Sequence, residues 1–369
     1  MGGCSSRFSE DQNLAAGARH DVWRDLRDGG VKMVVTRAHV AEMARVSPAL
    51  VSYVTNGGPR AVSPQARKRI EQAIKTLGYV PNTVAQALRG ASTRTIGLLI
   101  PTAVNQFFGE LATAVEKELF DSGNTLAVGV TNDDQAREMR YVDALVSRQV
   151  DGIMVISSHS LETLGKLTQA STPAIVLDRV PAGLNVSTVC VDGRNGAMTA
   201  VSHLQGHGHT IIGCLGGRAG TESADDRVAG WHLQQETAGL DHSARLVTRT
   251  DFTEQGGYDA AMTVLDRSVS SRPTALFVSS DIQTVGVLSA CYELGLKVPE
   301  DISIVSFDGT DASRFAVPPL TSYRQPVEEL ARLAVITLLQ HIQNPNAPTS
   351  HVLAAGELRV GLSCGCLRE

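Results

Sequence analysis

The chain lacks any apolar run approaching the roughly 18 residues that a membrane-spanning helix needs; Gly, Pro or charge interrupts every hydrophobic stretch. No membrane partner is expected. The segment from Met1 to Gly30 has no apolar region behind a basic start, so no secretory signal is read and a cytoplasmic location is expected. Cysteine is sparse: Cys4, Cys190, Cys214, Cys291, Cys364 and Cys366 are scattered through a long chain and read as reduced thiols, not as a disulfide framework. The glycine-rich stretch Gly213 to Gly220 lacks both G-x-G-x-x-G spacing and a Walker lysine, so it reads as a strand-end loop. No cofactor and no catalytic residues are expected. No heptad-patterned tail follows residue 345, which disfavours a coiled-coil tetramer. The opening Met1-Gly2-Gly3-Cys4-Ser5-Ser6 fits a loose myristoylation pattern and is taken as chance.

What is present is an ordinary globular composition, 43% hydrophobic and 19% charged over 369 residues. At roughly 100–200 residues per domain this allows two or three domains. The net charge of −5 argues, taken whole, against a chain that coats nucleic acid. The charge is unevenly placed. Residues 36–95 hold nine basic and two acidic side chains, a net +7, whereas residues 96–369 hold 19 basic and 31 acidic, a net −12. A compact basic head on an acidic body is the electrostatic footprint of a nucleic-acid-binding domain joined to a second module. A solvated basic helical face is the plainer alternative.

Thr36 is placed to cap a short helix through Met43, with Val40, Met43 and Ala44 at helical spacing. Ser47-Pro48 and Ser63-Pro64 are each a cap followed by a proline at the first helical position, opening helices to Thr55 and to Gly78. Leu50, Val51 and Val54 point inward from the second helix, and Ile70, Ile74 and Leu77 from the third, with Arg67, Lys68, Arg69 and Lys75 largely outward. Two short helices joined by three or four residues make a helix-turn-helix. Asn82 is positioned to cap a further helix, Thr83 to Arg89, ahead of a polar linker.

The residues Thr36, Val40-Ala41-Glu42, Val46-Ser47, Val51-Ser52, Asn56, Val62-Ser63, Arg67, Leu77-Gly78-Tyr79, Pro81-Asn82 and Ala85-Gln86-Ala87-Leu88 together resemble the headpiece of the LacI/GalR family of transcriptional regulators. The resemblance implies that the helix from Pro48 to Thr55 enters the major groove of a double-stranded operator. It further implies that paired hinge helices of a homodimer enter the minor groove, with Leu88 wedged between base steps. DNA contacts are then expected from Thr36, Ser47, Pro48, Ala49, Ser52, Tyr53, Asn56, Asn82, Gln86, Leu88 and Arg89. Three departures stand out: Arg45 replaces the small turn residue, usually Gly; Pro48 and Ala49 cannot make bidentate contacts to base edges; and Tyr53 stands where Arg is common. Readout then leans on phosphate contacts and DNA shape.

From Ile96 short apolar runs alternate with helical patterns, the signal of open parallel sheets covered by helices on both faces, and the rhythm restarts after Asp192. Ligands in such sheets sit beyond the carboxyl ends of the strands. Those ends supply Asn105, Phe107, Phe108, Asp133, Ser157 and Ser158, Asp178, Ser223, Arg227, Phe252, Ser280 and Asp308, a set suited to a small polyhydroxylated ligand. These positions are also similar to the family's effector-binding core, itself like periplasmic sugar receptors. The resemblance implies effector contacts from Asp178, Arg227, Ser280 and Asp308, with Phe252 above the ligand. Asn105, Phe107, Asp133 and Ser158 complete the expected set. Each polar residue in it also has a plainer reading, as the cap of the next helix. Gly361 stands where the family often has Arg, which puts the C-terminal contact in doubt.

The expected fold is thus an N-terminal all-α helix-turn-helix headpiece on an α/β two-lobed, periplasmic-binding-protein-like core. Expected boundaries are 36–80 for the DNA-binding domain and 81–95 for hinge and linker. The first lobe takes 96–191 with 322–345, and the second 192–321 with 346–369. Residues 1–35 read as an extension, disordered or upstream of a true start at Met33. His203 and His207 are i,i+4 neighbours with His209 close by, a spacing that suits zinc, yet no acidic base lies between them; Cys364-Gly365-Cys366 lacks a second ligand pair. No metal site is expected. The function implied is an effector-responsive, sequence-specific DNA-binding regulator, a repressor by preference, responding to a sugar or similar small polar ligand. A sugar receptor without DNA function is contradicted by the basic head and the missing export signal.

Overall fold

A computed structural model describes residues 35–56, 61–80, 92–157, 160–178, 185–266 and 272–366. The chain divides between Arg89 and Gly90 into two compact units.

The first unit contains α1 (Arg37–Ala44), α2 (Pro48–Asn56) and α3 (Pro64–Leu77). The helix starts are those the cap residues predict. Ser47 Oγ accepts the Leu50 N–H at 3.4 Å and Ser63 Oγ accepts that of Ala66 at 3.3 Å, while the Thr36 N–H is donated to His39 Nδ1 at 3.2 Å. The core is Val40, Ala41, Ala44, Val51, Ile70 and Ala73. Met43 was expected inward; it is 42% exposed, and Ala41 takes its place beside Val40 and Ala44. Between α1 and α2 the Val46 N–H reaches Ala41 O at 2.9 Å and the Arg45 N–H reaches Glu42 O at 3.1 Å, the two bonds of a Schellman end. Arg45 adopts φ 53°, ψ 52° to make them. The turn therefore keeps its tight geometry by holding a β-carbon-bearing residue in the left-handed region, at a cost of about 1–2 kcal/mol.

The second unit opens on β1 (Thr95–Ile100), α4 (Gln106–Asp121), β2 (Thr125–Val130), α5 (Gln135–Ser147), β3 (Gly152–Val155), α6 (Ser160–Gln169), β4 (Ala174–Leu177) and β5 (Thr188–Val191). It continues with α7 (Gly193–Gly206), β6 (Ile212–Gly216), α8 (Glu222–Thr237), β7 (Val247–Arg249), α9 (Glu254–Leu265), β8 (Ala275–Val278), α10 (Asp281–Glu293), β9 (Ser303–Asp308) and β10 (Thr321–Arg324). Last come α11 (Val327–Gln343), β11 (His351–Ala354) and β12 (Glu357–Arg359). The strands form two six-stranded sheets, ordered β11-β5-β4-β3-β1-β2 and β12-β10-β9-β8-β6-β7. Pairing is parallel apart from β10 with β12. Central strands such as Gly152–Val155 and Ala275–Val278 are buried along their whole length, as continuous apolar runs between two helical layers must be.

Leu111, Val115 and Leu119 of α4 pack with Leu338 of α11 on one face of the first sheet, and Val142, Leu145, Leu164 and Leu167 of α5 and α6 on the other. In the second lobe, Ala197, Leu204 and Trp231 of α7 and α8 cover one face, and Ala261, Val264, Val287 and Ala290 of α9 and α10 the other. The α9–α10 contact is backbone to backbone. A β-carbon on Gly257 would lie 2.0 Å from Gln283 O, and one on Gly286 would lie 1.8 Å from Glu254 O.

The chain crosses between lobes after β5, after β10 and after β11. The first crossing follows Val191. The other two correct the expected boundaries: β10 belongs to the second sheet, so the return starts after Arg324, and β11 belongs to the first, so the last crossing lies between Ala354 and Glu357. Apolar patterning alone could not assign these short strands, because partner choice depends on which sheet edge remains open. Asp151 grips the linker's end: its carboxylate accepts N–H bonds from Thr93 at 2.8 Å and Arg94 at 2.7 Å, and the Ser92 hydroxyl.

Candidate functional site

Nine residues from both lobes line one small cavity at the carboxyl ends of the strands: Asn105, Phe107, Phe108, Asp178, Ser223, Arg227, Phe252, Ser280 and Asp308. Seven of them belong to the expected effector set. Asp133 does not join them; it is exposed, with φ 52°, in the turn before α5. Ser158 lies outside the described residues. The space left within the lining is about 10 Å3, room for roughly one water.

The second lobe contributes a buried charge cluster. Arg227, on α8, is 4% exposed and donates through Nη1 to Ser279 O at 2.7 Å and to Asp308 Oδ1 at 3.1 Å. Its guanidinium stacks 4.0 Å from the Phe307 ring centroid, with the Phe252 ring 5.8 Å away. Its Nε is buried and meets no acceptor among the described residues, a donor that a polar ligand would satisfy. Asp308 ends β9 at φ 106°, a conformation of order 1–3 kcal/mol above relaxed for a residue with a β-carbon. Arg227 and Gln325 Nε2, the latter at 2.8 Å, hold its carboxylate there. Burial lifts the Asp308 carboxyl to about 7, against the pull of Arg227. Neighbouring Asp281 is also raised by burial, although Ser306, Ser322 and Thr310 all donate to it.

The first lobe contributes aromatic faces. Phe107 and Phe108 open α4, their ring centroids 5.2 Å apart and edge to face. The cap reading holds for two polar residues beside their place in the lining: Asn105 Oδ1 accepts the Phe107 N–H at 3.1 Å, and Ser280 Oγ accepts that of Gln283 at 3.3 Å. Gln325 was missed. It sits on the second crossing, fully buried, bonding Asp308 through both backbone and side chain.

At Gly361 a β-carbon would lie 2.5 Å from Leu320 O, so no side chain fits there. The guanidinium near this strand comes from Arg359, which donates to Gly309 O and Thr310 O at 2.7 Å. On the helical unit, Thr36, Ser47, Pro48 and Ala49 are exposed, and Ser52 and Tyr53 half-exposed. Arg67, Lys68, Arg69 and Lys75 are exposed along α3. The side chain of Asn56, and all of Asn82, Gln86, Leu88 and Arg89, lie outside the described residues, as do residues 1–34.

Residues 38–82 match the family described as bacterial regulatory proteins, lacI family, and residues 201–364 match a periplasmic binding protein-like domain. The transcriptional repressor PurR of Aliivibrio fischeri (strain MJ11) is 33% identical over 313 residues, covering 84% of this chain and 93% of that protein. The chain belongs to the LacI family. The ribose operon repressor of Escherichia coli (strain K12) is 32% identical over 314 residues, 85% of this chain and 94% of that one. A solved lac repressor dimer bound to operator and the anti-inducer ONPF matches with a TM-score of 0.79 at 28% identity, over 89% of this chain and 99% of that one. As a LacI-family member the chain is a DNA-binding transcription regulator, and its two-lobed unit has the periplasmic-binding-protein-like fold. No helix among the described residues is long and apolar enough to cross a membrane.

Proposed function

We propose that this chain is a cytoplasmic, non-enzymatic transcriptional repressor that binds a palindromic operator as a homodimer and responds to a sugar or similar small polar ligand. The observation that carries the reading is the convergence of Phe107, Asp178, Arg227, Phe252 and Asp308, from two lobes, on one cavity. Aromatic rings offer faces to the apolar side of a sugar ring, while Arg227 and the carboxylates address its hydroxyls. The relatives' names support the regulatory part: two are repressors, one of a ribose operon. A cavity sized for one water cannot take a sugar, so ligand entry has to part the lobes along their three crossings. A ligand shifts operator affinity only through such a difference between arrangements.

The test is a thermal-shift screen of the full chain against sugars and nucleosides, followed by operator binding with and without the hits. A sugar that raises the melting temperature and changes operator affinity supports the reading. If hits stabilise the chain but leave operator affinity unchanged, the coupling fails. Leu88→Ala is expected to weaken operator binding and bending while leaving ligand binding intact; unchanged bending would remove its wedge role.

A further inference from the structure

The end of the second sheet opposite the cleft gathers two imidazoles and two thiols. His203 lies in the last turn of α7 and His207 caps it, one helical turn apart, so both imidazoles face one way with centroids 4.9 Å apart. The stretch after β12 returns to that helix end. It sets Cys364 Sγ 3.2 Å from His203 Nε2, and Cys366 Sγ 3.2 Å from His207 Nε2 and 3.6 Å from His203 Nε2. All four ligand atoms lie within 4.8 Å of one another. The Cys-x-Cys pair does have its second ligand pair, 157 or more residues away in sequence.

We propose that His203, His207, Cys364 and Cys366 form a Cys2His2 zinc site. Tetrahedral zinc, with bonds of about 2.3 Å to sulfur and about 2.0–2.1 Å to nitrogen, spaces its ligand atoms about 3.3–3.8 Å apart. The three contacts above already sit close to that, and the widest separation closes with about 1 Å of side-chain movement. The surroundings are built for it. Gly365 turns at φ +96°, a conformation that residues with a β-carbon adopt only under strain, and so brings both sulfurs to one side. Thr321 Oγ1 donates to Cys364 Sγ at 3.0 Å, and Ser303 Oγ to Cys364 O at 3.3 Å, an outer shell that orients a thiolate ligand. His209 takes no part, pairing instead with Thr274 Oγ1 at 3.0 Å.

Four protein ligands leave no open position, so the site is structural, not hydrolytic. It fastens the segment after β12 to α7, the helix that starts at the first crossing between lobes. The experiment is metal analysis of the full chain purified under reducing conditions without chelator, with cobalt(II) titration of the chelator-treated protein. His207→Gln and Cys366→Ser serve as variants because both side chains reach the surface, whereas Cys364 is buried in the core. Expected are one zinc per chain, the intense visible bands of tetrahedral thiolate-bound cobalt, loss of that equivalent in both variants, and a chelator-induced drop in melting temperature confined to the wild type. Absence of stoichiometric zinc together with absence of the cobalt bands overturns the site. So does a zinc equivalent retained by both variants, or a Cys364–Cys366 disulfide in the freshly reduced chain.

Discussion

The two lobes share one strand order and differ in what they bury. The first keeps an apolar core against the cleft and presents Phe107 and Phe108 to it; Glu138, buried in that lobe, is met by the hydroxyls of Ser157 and Thr163. The second buries an arginine and two aspartates beside the cleft, and a histidine–cysteine cluster at its far end. A shared strand order thus leaves the chemistry free, because strand ends and helix ends are loops whose side chains the sheet positions but does not choose.

The sharpest way to break that contrast is Arg227→Ala at pH 8, where Asp308 is ionised. A buried carboxylate left without its partner is expected to cost about 3–5 kcal/mol of stability in urea unfolding. A loss under about 1 kcal/mol, the range of an exposed pair, would show that the charge cluster does not hold the second lobe. The penalty should shrink toward pH 6, where the carboxyl takes up a proton instead.

Asp308 itself supplies the next test. With its carboxyl lifted from 3.8 to about 7, the folded chain binds a proton that the unfolded chain releases. The stability contributed by protonated Asp308 is therefore complete below about 3.8 and is lost as pH rises through about 7. Asp308→Asn stays neutral throughout, so its unfolding free energy should gain on the wild type as pH is raised from 4 to 8. Parallel curves would mean the carboxyl is not raised.

A smaller effect should fall on both lobes. If each supplies an aromatic wall to the same ligand, Phe107→Ala and Phe252→Ala should each weaken effector binding about two- to tenfold, from about 0.5–1.5 kcal/mol of ring contact beyond area. Isothermal titration with a screened ligand checks this, and an effect confined to one lobe would assign the site to that lobe. The smallest change lies in the helical unit. Arg45→Gly relieves the left-handed strain and should stabilise that unit by about 1 kcal/mol, read as slower amide exchange in α1 to α3.

Much of this site was legible beforehand, and for a physical reason. In a parallel sheet the residues just past each apolar run must emerge at one edge, so Asn105, Asp178, Ser280 and Asp308 could be grouped from strand order alone. Asp133 obeys the same rule and still misses, because its left-handed turn leaves it exposed before α5. Helix starts at Ser47-Pro48 and Ser63-Pro64 were equally plain, being local hydrogen-bond chemistry. Met43 was misassigned because Val40, Met43 and Ala44 fit helical spacing, and so do Val40, Ala41 and Ala44 on a slightly rotated face.

By itself the sequence determined what is local or periodic: the helix caps, the alternation of strand and helix, the basic head and the polar strand ends. Tertiary structure alone decided what depends on distant partners. It chose the sheet that receives β10 and β11, set Gln325 against Asp308, and brought Cys364 and Cys366 to His203 and His207. Those contacts close loops of many residues, and no neighbouring residue type reports them. Their signal exists only once the sheets have formed and placed the chain's ends on the helices that cover them.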